Sequence, residues 1–339
     1  MQADADADAD ADFRLLNEFQ RDFPLDDRPY ATIGKRLGLS ENAVMESLRR
    51  FLEHGEITRI GAVFSPGWLG ASTLAAMAVP VARLETVAAQ VSRHAQVNHN
   101  YQREHRLNLW FVAAAACDRD LGVLLRQIAR ETGIEVLPLP LLEEFHIDLG
   151  FDLATGAKTR ALATGCAKVA VAAAPLSDRL RGFVAALQEG LALTERPYAA
   201  LARRSGMTET EVTDCLGRWQ REGQVRRFGV IVRHLELGFI ANAMVVWDIP
   251  DFRVSALGVN LAAQAGVNLC YRRARHLPQW RHNLYCMIHG RTRAEVERRV
   301  MDISDDLDLG EYPREILFSC RRFKQTGARY APSEVVAHG

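Results

Sequence analysis

Two periods of apolar spacing alternate along the chain. Val44, Leu48, Phe51 and Leu52 recur at i, i+4, i+7 and i+8, the stripe of a helix with one buried face, and Val212, Leu216 and Trp219 repeat it further on. Ser40 and Thr208 stand where an N-cap belongs, and Gly55 and Gly223 follow the last apolar position, where a left-handed residue ends a helix. Gly38 and Gly206 mark short turns before each stripe, so each segment predicts a helix-turn-helix with a trailing wing. Beyond it the spacing shortens. Leu74 to Pro80, Val97 to Arg103, Asn108 to Ala115 and Phe145 to Leu153 read as strands. Helix stripes at Leu84, Val87 and Val91, and at Leu121, Leu124, Leu125 and Ile128, fall between them.

The order is β-α-β-β-α-β, a ferredoxin-like arrangement, and helices over Val254 to Leu261 and Val296 to Leu307 predict a second copy. The strings themselves repeat. RPYA at Arg28 to Ala31 returns at Arg196 to Ala199, HGEITRIGAVF at His54 returns as EGQVRRFGVIV at Glu222, VNHNYQR at Val97 as VNLCYRR at Val267, and NLWF at Asn108 as NLYC at Asn283. The fold class is therefore α+β, two tandem repeats of a winged helix-turn-helix plus a ferredoxin-like domain. Alternating Ala and Asp make residues 1–13 an expected disordered acidic tail. Winged helices are expected at 14–62 and 177–230, ferredoxin-like domains at 63–153 and 231–332, and an Ala/Thr/Gly/Val-rich linker at 154–176.

With 339 residues, the chain can bury several cores without disulfides or metals as staples. Lys plus Arg and Asp plus Glu both number 42, so the whole-chain field favours neither nucleic acid nor an anionic membrane, and any basic site must be local. No apolar run approaches the roughly 18 residues of a membrane helix, and the N-terminus lacks the order of a secretion signal, so a cytoplasmic protein is expected. Cys117, Cys166, Cys215, Cys270, Cys286 and Cys320 are scattered without zinc spacing, which predicts reduced thiols and no protein-held metal.

Local basic clusters do occur. Arg272, Arg273 and Arg275 crowd one predicted strand beside Tyr271, and Arg321, Arg322 and Lys324 flank Phe323, with Arg329 and Tyr330 soon after. Such charges can simply be solvated strand-edge residues that discourage aggregation. Guanidinium forks also bind carboxylates and phosphates, so an anion site is the sharper reading. His99, Tyr101, Arg103 and His105 alternate, and an extended backbone would project all four from one face. Burying that many polar groups without partners is costly, which predicts an exposed face or the wall of a polar site. His146 has Asp148 two residues on, where a carboxylate could orient the imidazole; a satisfied core-edge histidine is the plainer alternative.

Winged helix followed by a ferredoxin-like domain resembles the Lrp/AsnC regulators, an architectural likeness spanning residues 14–153 and 178–330. VNHNYQREHRLNLWF, FHIDLGFDL, YRRARHLPQWRHNLYCMIHGR and LFSCRRFKQTGARY are more specific and resemble the siroheme decarboxylases, the first half similar to the NirD type and the second to the NirL type. That resemblance implies loss of CO2 from the C12 and C18 acetates of siroheme, giving 12,18-didecarboxysiroheme in haem d1 or alternative haem biosynthesis. It implies no cofactor, since the iron belongs to the substrate. It also implies an intramolecular pseudo-dimer with the substrate cleft near the interface of the sheets, and homologous decarboxylase subunits or a homodimer as further partners.

Siroheme carries carboxylates around a flat apolar macrocycle, so the site needs cationic forks and apolar or aromatic walls. The expected catalytic residues are His99, His146 and Tyr101; the expected substrate-binding residues are Arg103, His105, Tyr271, Arg272, Arg273, Arg275, Arg321, Arg322 and Lys324. Leu269, Tyr271 and Arg273 match His99, Tyr101 and Arg103, and His146 aligns near Ser319, so the acids are expected in the first half and the anion clamps in the second. A DNA-binding regulator is the competing class. Its recognition helices would carry Glu41 and Glu46 beside Arg49 and Arg50, and Glu209, Glu211 and Asp214 against Arg218, a poor match to phosphates. A tetrapyrrole carrier without turnover is the third.

Overall fold

The computed structural model describes residues 2–65, 67–147, 167–168, 176–233 and 241–327. The Ala/Asp stretch expected as a disordered tail is instead helical, since α1 runs over Gln2–Glu18. Alanine is the best helix former, and it fills every second place of this stretch. Leu15, Leu16 and the following Phe19 anchor the other end by burial.

Helices α2 (Pro29–Leu37) and α3 (Glu41–His54) and strand β1 (Ile57–Phe64) complete the first winged helix. Ser40 Oγ accepts from Ala43 N at 3.2 Å, and Gly38 and Gly55 take the left-handed conformation, as the caps predict. Helices α6 (Asp178–Glu189), α7 (Pro197–Ser205) and α8 (Glu209–Arg221) and strand β7 (Val225–Val232) form the second. The two do not stand apart. Leu48, Tyr30 and Phe19 share one core with Trp219, Tyr198 and Phe228, and the repeated RPYA tyrosines bond crosswise, Tyr30 to Ala192 O at 2.9 Å and Tyr198 to Pro24 O at 2.6 Å.

The wings β1 and β7 pair antiparallel with Gly61 opposite Gly229. A Cβ at Gly229 would lie 2.4 Å from Phe19 O, a backbone atom that cannot yield without moving the chain after α1. Gly229→Ala is therefore expected to destabilise the protein by about 2–3 kcal/mol, read as a lowered urea midpoint.

Strand β2 (Ala71–Met77), α4 (Leu84–Arg93), β3 (Val97–Arg103), β4 (Leu109–Ala115), α5 (Asp118–Thr132) and β5 (Leu137–Ile147) make the first ferredoxin-like unit. A two-residue strand, β6 (Ala167–Lys168), pairs with β5. The second unit comprises β8 (Ala241–Trp247), α9 (Val254–Ala263), β9 (Val267–Arg273), β10 (Leu284–Gly290), α10 (Arg293–Asp306) and β11 (Arg314–Gln325). The repeated asparagines tie each unit's loop to its sheet. Asn108 bonds Val79 N and O, both at 2.9 Å, and Asn283 bonds Ile249 N and O at 3.0 and 2.9 Å.

The last strand of each unit serves two sheets. β5 begins against β2 of its own unit and continues against β9 of the other, while β11 begins against β8 and continues against β3. With the β2–β5 pairing, eight strands close into a ring, β2-β4-β3-β11-β8-β10-β9-β5. Helices α4 and α5 pack outside one unit and α9 and α10 outside the other. Trp110, Leu139, Met244, Trp280, Tyr285 and Leu317 fill a separate core drawn from both units. The duplicated halves thus form one body with an approximate twofold axis, and two equivalent crossings, β3 with β11 and β9 with β5.

Candidate active site

At the β3–β11 crossing, Arg103 stands opposite Ser319, Tyr101 opposite Arg322 and His99 opposite Gln325. His99 and Tyr101 are half-buried, with ring centroids 6.2 Å apart in a stacked arrangement, and the Arg103 guanidinium lies 5.9 Å from the Tyr101 ring. This is the face-sharing that alternation predicts for three of the four residues. His105 falls outside it, because β3 ends at Arg103 and the chain turns. Its Nδ1 accepts from Leu107 N at 2.9 Å, its Nε2 meets Glu315 at 2.8 Å, and its ring meets Trp280 edge-on.

The wings supply what the sequence reading missed. Arg59 of β1 reaches this crossing: a Cβ at Gly327, two residues past β11, would lie 3.1 Å from Arg59 Nη1, and the Arg59 charge acts on His99. Arg233, just after β7, acts on Tyr101 together with Arg103 and Arg322. Among the described residues no carboxylate pairs with Arg59, Arg103 or Arg233, and the Nε of each is buried without a hydrogen-bond partner. Arg59 Nη2 donates to Ala62 O at 3.2 Å and Arg103 Nη1 to Leu317 O at 3.0 Å. Burial pulls Arg103 down to about 10. Guanidinium groups wholly or half buried without a counter-charge are a standing demand for an anion.

Two imidazoles feel this field. Burial and Arg59 hold His99 down to about 4, and burial and Arg103 do the same to His289, also about 4. His99 Nδ1 bonds Asn98 Oδ1 at 2.6 Å, so Nδ1 carries the proton and Nε2 is left with its lone pair. His289 is engaged at both nitrogens, with Asn268 Oδ1 at 3.0 Å and Asn242 Nδ2 at 3.1 Å. Burial raises the Tyr101 hydroxyl, so it keeps its proton at neutral pH. Both histidines are neutral when folded and ionise near 6.5 when unfolded, so stability is full above about 6.5 and falls as the pH drops toward 4. Thermal melting at pH 5 and 7 checks this: the difference should shrink in a His99→Gln, His289→Gln double variant.

The other expected residues go elsewhere. His146 pairs in register with Cys270, whose thiol turns to Gly258 O of α9, so it lies on the helix side of the sheet, and its twofold counterpart is Lys324 opposite Asn100 rather than Ser319. The sequence offset failed because Ser319 matches Leu141 instead, opposite Arg273. Asp148 lies outside the described residues, as do Arg329 and Tyr330. Lys324 Nζ donates to Ser92 O and His94 O, at 2.8 and 2.9 Å, closing the C-terminal end of α4. Arg272 pairs with Glu143 and Asp251, Arg275 with Asp248 and Asp251, and exposed Arg321 with Glu85. For these three the solvated or paired-charge reading describes the geometry.

The second crossing keeps Tyr271 and Arg273 but answers its charge internally. Arg273 donates to Leu139 O at 2.9 Å and stacks on Tyr271 at 5.1 Å. Glu144 stands opposite Tyr271, the place Arg322 holds opposite Tyr101, and pairs with Arg226 at 2.9 Å. β11 carries Arg322 of the second half across to Tyr101 of the first, so the β3–β11 crossing draws on both halves.

Residues 69–146 and 236–324 match the AsnC-like ligand binding domain, and residues 12–57 and 181–226 match the siroheme decarboxylase NirDL-like HTH domain. The siroheme decarboxylase NirDL subunit of Paracoccus denitrificans is 42% identical over 94% of this chain and 97% of its own length. The chain belongs to the siroheme decarboxylase family. A crystal structure of the siroheme decarboxylase NirDL superposes with a TM-score of 0.68 at 27% identity, covering 95% of this chain and 94% of the other. A second, of NirDL in complex with an iron-uroporphyrin III analogue, gives 0.65 at 27% identity with the same coverage. This siroheme decarboxylase fold is thus the α+β duplication that the repeats predict. Among its described residues no helix is long and apolar enough to cross a membrane, and Cys117, Cys215, Cys270, Cys286 and Cys320 are free thiols.

Proposed function

We propose that the chain decarboxylates siroheme at the β3–β11 crossing. The observation that carries the reading is the group of guanidiniums, buried at Arg103 and half-buried at Arg59 and Arg233, around the His99–Tyr101 stack with no carboxylate among the described residues to answer them. A tetrapyrrole rimmed with carboxylates supplies that counter-charge, and its flat ring suits an aromatic wall.

Each loss converts a ring-bound CH2–COO⁻ into CH3 and CO2 and consumes one proton. The electron pair of the breaking C–C bond enters the ring system, and an acid must return a proton to carbon. His99 is the acid. In the free protein its charge is suppressed by burial and, secondarily, by Arg59; the carboxylates of bound siroheme neutralise the Arg59 field and, lying beside the imidazole, raise its affinity for a proton. The proton then sits on Nε2, the nitrogen not engaged by Asn98. Charging the acid only in the complex keeps it matched to its task. Siroheme binding is accordingly expected to take up a proton at pH 7, seen as a binding heat that varies with buffer ionisation enthalpy, and to lose that uptake in His99→Gln.

We place the two losses at the C12 and C18 acetates, with 12,18-didecarboxysiroheme as product, no organic cofactor, and iron brought by the substrate. The winged helices roof the site through Arg59 and Arg233. Anaerobic incubation with siroheme followed by mass spectrometry tests the reading: loss of two CO2 supports it, and siroheme bound but unchanged would make the protein a carrier.

A further inference from the structure

The buried apolar side chains of the winged helices form one cluster and those of the strand ring form three others, none of which joins the two bodies among the described residues. Nor does a described helix or strand of the winged helices lie closely along an element of the ring. How the wings sit is therefore decided by the side chains that cross between the bodies. At the β3–β11 crossing these are Arg59, whose charge acts on His99, and Arg233, which acts on Tyr101 alongside Arg103 and Arg322 of the ring. Charges of one sign brought together where they are poorly screened push the wing off the sheet until an anion arrives.

The β9–β5 crossing is of the opposite kind. Arg226 of β7 pairs with Glu144 of β5 at 2.9 Å, and Glu144 is only 5% exposed. Arg226 Nε also donates to Ser65 Oγ at 2.7 Å, and Ser65 N donates to Gln224 O at 2.9 Å, so the guanidinium is held to the ends of both wings. Burial works against the Glu144 charge and Arg226 supports it. The repeats diverge at both partners. Aligning ITRIG with VRRFG puts Thr58 where Arg226 stands, and Arg322 faces Tyr101 where Glu144 faces Tyr271. A hydroxyl and a guanidinium cannot form that ion pair, so the wings are fastened at one crossing and electrostatically open at the other.

We propose that Glu144 is a positioning residue: through Arg226 it seats the winged helices on the ring, and the wings pivot on this pair to bring Arg59 and Arg233 down on siroheme at the β3–β11 crossing. This deepens the decarboxylase reading and rests on it. Glu144 acts through the placement of the wing guanidiniums and not on the reacting carbon. The carboxylates of siroheme supply the second fastening, which the protein itself lacks between Thr58 and Arg322.

Without the pair the wings are seated for a smaller fraction of the time, and apparent affinity falls by that fraction. Glu144→Gln keeps the shape of the side chain and removes its charge. In anaerobic titrations of the intact chain it is expected to raise the siroheme dissociation constant about tenfold, with the single-turnover rate of the bound complex within about threefold. With no siroheme present, NMR titration should show His99 ionising above its value of about 4, because Arg59 and the covering wing withdraw from it. Arg226→Lys retains the ion pair and should restore both readouts. Glu144→Gln with Arg226→Met leaves neither charge unpaired, should fold as judged by circular dichroism, and should cost no more than the worse single change. Wild-type affinity and a wild-type His99 titration in that folded double variant would overturn the seating role. So would a loss confined to the rate of the bound complex, which would put Glu144 in the chemistry. A wild type that binds siroheme without releasing CO2 would instead overturn the decarboxylase reading, while the His99 titration still decides the seating.

Discussion

His99→Ala is expected to bind siroheme and to decarboxylate it more slowly by on the order of 10²- to 10⁴-fold. The size follows from removing a proton donor at the reacting carbon, and the preserved binding follows from leaving the guanidiniums in place. Two features single out this imidazole. Its Nδ1 is fixed by Asn98, which orients the ring and leaves Nε2 for the substrate, and its proton affinity is held down first by burial and then by the Arg59 charge that siroheme would cancel. Tyr101 is the competing donor, since burial keeps its hydroxyl protonated and it stacks beside His99. Tyr101→Phe keeps the stack and removes only the hydroxyl. It should cost less than about tenfold in single-turnover rate. If Tyr101→Phe shows the larger loss and His99→Ala the smaller, the acid is the phenol and His99 is a wall of the site.

The duplication, the winged helices and the strand order were legible because they are local: periodicity, caps and repeated strings each depend on a few neighbouring residues. Ser40, Thr208, Gly38 and Gly55 do what their positions predict. The site was legible only where it follows one strand, as with His99, Tyr101 and Arg103. Arg59 and Arg233 lie in wings that look like solvated edge residues until the two winged helices pack together and are set on the sheet. For Arg59 a signal was present in the repeat of ITRIG and VRRFG, where Arg59 and Arg227 keep an arginine at the same place between apolar strand residues. His289 escaped because nothing in IHGR distinguishes it; its place depends on β11 crossing between sheets to bring Arg103 near. His146 misled because a bulge between Glu144 and His146 shifts the register that simple alternation assumes.

Exchanging Arg59 for alanine is expected to raise the siroheme dissociation constant on the order of 10²-fold while leaving the rate of the bound complex within about threefold. Arg59 belongs to the wing, not to the sheet that carries His99, so it can hold the substrate rim without touching the reacting carbon. A rim contact serves substrate and transition state alike, which is why affinity and not chemistry should move. The field argument adds a second readout. Without Arg59 the free-protein His99 is held down by burial alone, so its ionisation, followed by NMR titration of the free protein, should move up from about 4. Lys324→Ala gives the contrast. Its ammonium is committed to the carbonyls of Ser92 and His94 at the end of α4, so its loss should cost about 2 kcal/mol of stability with siroheme affinity unchanged. Should Lys324→Ala weaken binding as much as Arg59→Ala, the ammonium must leave α4 to meet the substrate. Should Arg59→Ala slow the bound complex instead, the wing would have to reach the reacting carboxylate.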